Sequence, residues 1–288
     1  MNKIRFSNAV LKNIAYVSMF VDHFFAVVYL DFVRRYAAAA AGTAQENEVY
    51  RQMNEIYRMG RAIGRIAFIL FAYLAAEGFA HTGNRKKYLL RLGGFALISE
   101  LPFDLAFSGK CFDWGSQNVY FTLSLGIAVL MVWEWAAENR WKLLKKPRPG
   151  DMTFRLCVGV FAAIQFGTLF LGCGLAYCMR TDYKYMGVLL IVVFYLLRRQ
   201  SFAVKIAAAG AVMLFGTWSA NCLRYAGEYT MEYLFQFSMR EMYGLAAFVP
   251  IFLYDGSKGK QLPKAVCYGF YPVHLLLLRG IVWLTAGI

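Results

Sequence analysis

The run "VSMFVDHFFAVVYL", Val17 to Leu30, sets Asp22 beside His23 in the middle of an otherwise apolar stretch. A charged side chain at the centre of a bilayer costs roughly 2.5–3.5 kcal/mol on insertion scales, so an ionisable residue at that depth marks a candidate functional site. Whether this run crosses a membrane therefore decides both the fold and where to look for chemistry.

The rest of the chain answers that it does. Hydrophobic residues make up 59% of the 288 and the mean hydropathy is +0.45, against roughly 45–50% apolar usage in soluble domains. Apolar runs recur between basic connectors, as helices that span lipid require. We expect an all-α, polytopic integral membrane helical bundle that occupies 1–288 as a single domain. About nine transmembrane helices (eight to ten) are expected, near 13–33, 66–82, 88–107, 119–138, 154–177, 184–198, 202–220, 233–254 and 266–287. Between the first two, 44–65 reads as an amphipathic helical connector, with Val49, Met53, Ile56 and Ile63 at helical spacing opposite Glu46, Glu48 and Glu55. That connector either lies on the membrane or runs through Gly60 and Gly64 into the second span.

The formal net charge of +14 is carried mostly by short connectors, where Lys and Arg anchor to headgroups and set topology. Nucleic-acid binding is therefore not expected. With the N-terminus cytoplasmic, the other cytoplasmic connectors hold sixteen Lys and Arg and the opposite side holds ten. That asymmetry favours a cytoplasmic N-terminus in a multi-pass membrane protein. The first apolar run is too long for the core of a cleaved signal peptide. "KKPRPG" (145–150) is the one linker-like stretch, and the six cysteines form no CxxC pair, so buried, reduced thiols are expected.

Ionisable residues inside the spans are numerous. Asp22 and His23 share span one; Glu77 and His81 are one turn apart in span two; Glu100 and Asp104 flank Pro102 in span three; His274 lies in span nine. Adjacent residues on a helix diverge by about 100°, so Asp22 is poorly placed to orient His23, and the pair should find partners on other helices. For Asp22 and His23 those candidates are Glu77, Arg61 and Arg65. Lys12 and His23, eleven residues apart, fall on one helix face about 16 Å apart along the axis. A cation at the interface with an imidazole deep below it suits a long anionic thioester. Arg61 and Arg65 share a face, Asn118 opens span four, and Arg85 and Lys86 lie in a basic turn after span two. No nucleotide loop, zinc spacing or nucleophile elbow occurs, and no metal is expected.

"MFVDHFF", the long string "GRIAFILFAYLAAEGFAHTGNRKKYLLRLGGFALISELPFDLAF" (64–107), "NVYFTLSLG" (118–126) and "YGFYPVHLLLL" (268–278) together resemble the TraX family of bacterial membrane proteins. The likeness covers the first half closely and the last twenty residues; about 140–255 matches only in hydropathy. It implies a location in the bacterial cytoplasmic membrane, and acetyl transfer from acetyl-coenzyme A to a pilin-like peptide N-terminus, another peptide amine or a sugar hydroxyl. TraX-like proteins are similar to larger transmembrane acyltransferases whose first span carries a basic residue and a histidine eleven apart. Here that basic residue is Lys12, where an arginine is usual. On this reading His23 is the general base, with Asp22 and Glu77 as catalytic partners. Arg61, Arg65, Asn118, Glu100, Asp104 and His274 would contact substrate, and Lys12, His81, Arg85 and Lys86 the coenzyme. The competing expectations are a proton-coupled transporter or channel and a non-enzymatic membrane assembly protein.

Overall fold

In the computed structural model the described residues are 5–40, 46–143, 152–225 and 227–286, which places "KKPRPG" outside them. They form helices throughout, with two isolated bridges and no longer strand among them. The chain runs α1 (Asn8–His23), a π-helical segment (Phe24–Tyr29), α2 (Leu30–Ala40), α3 (Glu46–His81), α4 (Arg85–Phe107), α5 (Val119–Leu143) and α6 (Met152–Cys178). It continues through α7 (Lys184–Leu196), α8 (Phe202–Arg224), α9 (Met231–Met239), a 3-10 segment (Arg240–Ala247), α10 (Phe248–Phe252) and α11 (Lys264–Thr285).

Among the described residues six stretches are long and apolar enough to cross a membrane: Asn8–Ala39, Glu48–His81, Val119–Asn139, Phe154–Cys178, Phe202–Arg224 and Lys264–Thr285. The chain is a multi-pass membrane protein. Three of the nine expected spans fall outside that set, each for its own reason. α4 has 23 residues but carries Arg85, Lys86, Lys87, Arg91, Glu100 and Asp104. α7 has 13 residues, which at 1.5 Å per residue is about 20 Å, short of a hydrocarbon core of about 30 Å. The span expected at 233–254 is broken, α9 giving way to a 3-10 segment and then to the five-residue α10 that contains Pro250.

The connector 44–65 takes one of its two expected forms. From Glu46 the chain is a single helix of 36 residues into the second span, the through-running form of the two expected; 41–45 lie outside the described residues. Of its apolar face only Met53 is buried, while Ile56 and Ile63 stay exposed. α3 is the central helix, with 61% of its apolar window buried, whereas the window of α6 is 11% buried and forms the periphery. None of the six cysteines is joined in a disulfide among the described residues.

What lets α1 and α3 meet closely is a pair of glycines. A Cβ at Gly60 would stand 2.1 Å from the Phe25 ring, and one at Gly64 would stand 1.9 Å from Asp22 Oδ1. Small residues four apart allow two membrane helices to approach to backbone contact. Here the contact delivers Asp22 of α1 onto the arginines of α3.

Candidate functional site

α1 carries His23 to the point where its regular turns end and the π-helical segment begins. Such a widened turn shifts the facing of everything after it and recurs at functional sites. His23 Nδ1 lies 2.6 Å from Nε2 of His274 on α11, the rings stacked at 4° with centroids 4.9 Å apart. His274 Nδ1 lies 2.7 Å from the Phe270 carbonyl. A carbonyl only accepts, so in the neutral pair His274 carries its proton on Nδ1 and offers the Nε2 lone pair to the Nδ1–H of His23. The chain of hydrogen bonds thereby leaves the lone pair of His23 on Nε2, which has no protein partner among the described residues. The geometry gives one imidazole nitrogen free to take a proton and holds its ring by the other.

Asp22 does not serve His23. It meets Arg61 at 2.7 Å and Arg65 at 3.7 Å, and Arg65 in turn pairs with Glu241 at 2.9 Å. Two guanidinium groups and two carboxylates so balance one another in a partly buried patch, which is how charges survive away from water. Gly64→Ala is expected to destabilise the fold by about 2 kcal/mol, since the new methyl would displace Asp22 and loosen its hold on Arg61; unfolding in mixed detergent and SDS micelles measures it.

Two cavities approach this layer from opposite ends. One, of about 430 Å³, is lined by Lys12, Glu77, His81, Arg91, Lys258 and Lys264 with the aromatic walls of Tyr16, Tyr88, Tyr120, Tyr268 and Tyr271. The other, of about 950 Å³, is lined by Asp22, His23, Arg61, Arg65, Glu241 and the connector between α6 and α7. In that connector burial pushes the Asp182 carboxyl up to about 6, Asp22 adding to the rise and Arg61 and Arg65 opposing it. Tyr271 lies at the boundary: it lines the first cavity, and its ring stands edge-on to His23, centroids 5.7 Å apart. Its hydroxyl is buried and donates to nothing among the described residues. Pro272 beside it lacks an N–H and so cannot bond the carbonyl of Tyr268 one turn back; the Tyr120 hydroxyl donates to that carbonyl at 3.2 Å instead, tying α5 to α11 at this level.

The residues singled out in the sequence divide accordingly. His23 and His274 are brought together, as are Asp22, Arg61 and Arg65. Glu77 lies thirteen residues beyond Gly64 along α3, about 20 Å away, and faces the Lys12 cavity, where it meets His81 at 3.4 Å. Lys12 lines that cavity and donates to Gln261 at 2.7 Å. Arg85 lines neither cavity and pairs with Glu134 and Glu138 of α5. Lys86 is exposed and lines neither. Asn118, Glu100 and Asp104 brace the α4–α5 connection: Asn118 Nδ2 donates to Ala96 O at 2.7 Å and to Glu100, and Asp104 accepts the Asp113 N–H at 2.9 Å. Pro102, between those carboxylates, sits inside a continuous α4.

Sequence reasoning missed Tyr271 and Glu241, and Arg91, Lys258 and Lys264 as walls of the Lys12 cavity. Tyr271 sits three residues before His274, so helical spacing already put it on the same side of α11; Glu241 stood as a lone carboxylate in an apolar span. No such signal marked the lysines, which read as ordinary connector charge.

No solved structure matches the chain. The probable fimbrial assembly protein FimC, serogroup H1, of Dichelobacter nodosus is 26% identical over 286 residues, covering 96% of this chain and 95% of that protein. The model of the TraX protein family matches residues 7–282, a stretch that contains the histidine pair, the arginine–carboxylate patch and both cavities, and the chain belongs to the TraX family.

Proposed function

We propose that this protein is a membrane-embedded acyltransferase that moves an acetyl group from acetyl-coenzyme A to an amine or hydroxyl. The observation that carries the reading is that two cavities end on either side of the His23–Tyr271 ring contact, one rich in cations around Lys12 and bounded by Tyr271, the other lined by His23, Arg61 and Arg65. Lys12, Arg91, Lys258 and Lys264 fit the phosphates of the coenzyme, and the aromatic walls fit its apolar arm. The coenzyme supplies an acetyl thioester, a carbonyl activated toward nucleophiles.

His23 Nε2 takes the proton of the acceptor amine or hydroxyl as the new bond forms, and afterwards returns it to the departing sulfur. The Tyr271 hydroxyl donates a hydrogen bond to the carbonyl oxygen as that oxygen gains charge, and keeps its proton as the carbonyl re-forms. His274 holds His23 in the tautomer that keeps Nε2 unprotonated. With the N-terminus cytoplasmic, the Lys12 cavity faces the cytoplasm of a bacterial cell and the Arg61 cavity faces outward, so the acyl group would cross while the coenzyme stays inside. The name of the Dichelobacter relative speaks of fimbrial assembly, which favours a pilin-like peptide N-terminus as acceptor over a sugar hydroxyl.

A histidine pair in the layer between two such cavities would also serve a proton-coupled transporter. That alternative predicts no acetyl-coenzyme A binding, and purified protein with radiolabelled acetyl-coenzyme A separates the two. Binding of label, with transfer to water or to an added peptide amine, is the expected result; absence of binding sinks the acyltransferase reading. In the same assay Tyr271→Phe is expected to lower kcat by about 10²–10³-fold with little change in coenzyme affinity.

A further inference from the structure

The cavity lined by His23 holds more positive charge than the arginine–carboxylate patch uses. Arg61 and Arg65 are taken up by Asp22 and Glu241. Arg180, Lys184 and Arg224 line the same cavity, and none of the three has a carboxylate within ion-pair distance among the described residues. Lys184 sits over the Tyr177 ring and Arg224 over that of Tyr225, at 5.9 and 5.2 Å; such contacts orient a cation and leave its charge uncompensated. With Asp182 counted as ionised, five cations still face three carboxylates across this space.

Connector lysines and arginines ordinarily anchor to headgroups, and an anchor needs no particular backbone. Here the backbone is particular. Arg180, Tyr183 and Lys184 have φ of 54°, 60° and 44°, the left-handed region that a side-chain-bearing residue rarely adopts. Such strain persists only where the surroundings impose it, and it gathers at ligand clamps. The surroundings do impose it. The Gln117 N–H donates to Arg180 O at 3.1 Å and the Asp182 N–H to Gln117 O at 2.8 Å. Thr122 Oγ1 meets Thr181 Oγ1 at 3.0 Å and also donates to Asp182 O, and the Tyr183 ring stacks on Phe68 with centroids 3.5 Å apart. Arg180 and Lys184 are thus presented from a fixed frame on the wall of the cavity that reaches His23.

We propose that the acceptor carries an anionic oxygen group, phosphate or carboxylate, which docks on Arg180, Lys184 and Arg224 while its amine or hydroxyl reaches His23. The word acceptor rests on the acyltransferase reading; the anion site itself does not. An anion held at the mouth would fix the acceptor's orientation and exclude neutral competitors, because only a charged partner relieves the mutual repulsion of the three cations.

The same chemistry belongs to a soluble acceptor and to the phosphate of an anionic lipid headgroup, and the test separates them. Intact protein in phosphatidylcholine nanodiscs is titrated with inorganic phosphate at constant ionic strength, following thermal unfolding, and separately with acetyl-coenzyme A. Phosphate is expected to raise the unfolding temperature saturably. Its apparent affinity should fall at least about tenfold in R180Q/K184Q/R224Q, and measurably in Arg224→Gln alone, which leaves the strained connector untouched. The acetyl-coenzyme A response of the same variants reports whether they are folded. A phosphate response that is absent in the wild type, or undiminished in both variants, overturns the proposal, and acetyl-coenzyme A binding that survives in those samples leaves the acyltransferase reading standing. Loss of the wild-type phosphate response in phosphatidylglycerol nanodiscs also overturns it, since a lipid headgroup then holds the site. Failure of acetyl-coenzyme A to bind, with the phosphate response intact and variant-sensitive, sinks the enzymatic reading and keeps the anion site.

Discussion

His23→Ala is expected to lower acetyl transfer by about 10²–10⁴-fold, the range lost when a positioned general base is removed, while acetyl-coenzyme A still binds the cavity around Lys12. The reason is positional. His23 is the residue of the pair with a ring nitrogen left unshared, and it lines the cavity opposite to the one assigned to the coenzyme. His274 acts through it, so His274→Ala should cost less, about 10-fold to 100-fold, and should shift the pH profile of kcat as His23 loses its fixed tautomer. His274→Gln, which restores an acceptor oxygen, should recover part of that loss. A His23→Ala protein as active as wild type would remove the mechanism and leave an assembly role as the better account.

The second large effect concerns stability. Asp22→Ala leaves Arg61 and Arg65 facing one carboxylate, and breaking a buried pair in this way costs roughly 3–5 kcal/mol. We expect about 3 kcal/mol, because the Arg61 side chain keeps 26% of its exposure and water softens its loss. Adding Arg61→Met to Asp22→Ala is expected to recover part of the stability, since the unpaired charge goes with it; unfolding of the four proteins in mixed micelles gives the coupling directly. Equal destabilisation by the single and double variants would mean that Asp22 is held by packing against Gly64 alone.

Much of the architecture was legible because the rules that govern it are local. An apolar run of sufficient length must be helical in lipid whatever its neighbours do, so the six long spans were readable, as was the burial of His23. α7 and the broken segment around Glu241 read as spans by hydropathy and differ in the structure, since apolarity does not report whether a segment is long enough or straight. The residues expected to contact the coenzyme divided for a similar reason. Lys12 and His81 reached one cavity, while Arg85, adjacent to them by topology, was claimed by Glu134 and Glu138 across the α4–α5 interface.

The sequence by itself determined which residues would be costly to bury, and that helical geometry parts Asp22 from His23. It also set which charges gather at the same end: Lys12 with Lys258 and Lys264, and Arg61 with Arg180 and Arg224. Only the tertiary structure decided whom the costly residues met. His23 found His274, 251 residues away, and Asp22 found two arginines through a glycine on α3, because partner choice depends on how each helix is rotated and how closely it packs. Those quantities are set by contacts between distant segments, and the 3.6-residue period of a single helix carries no record of them.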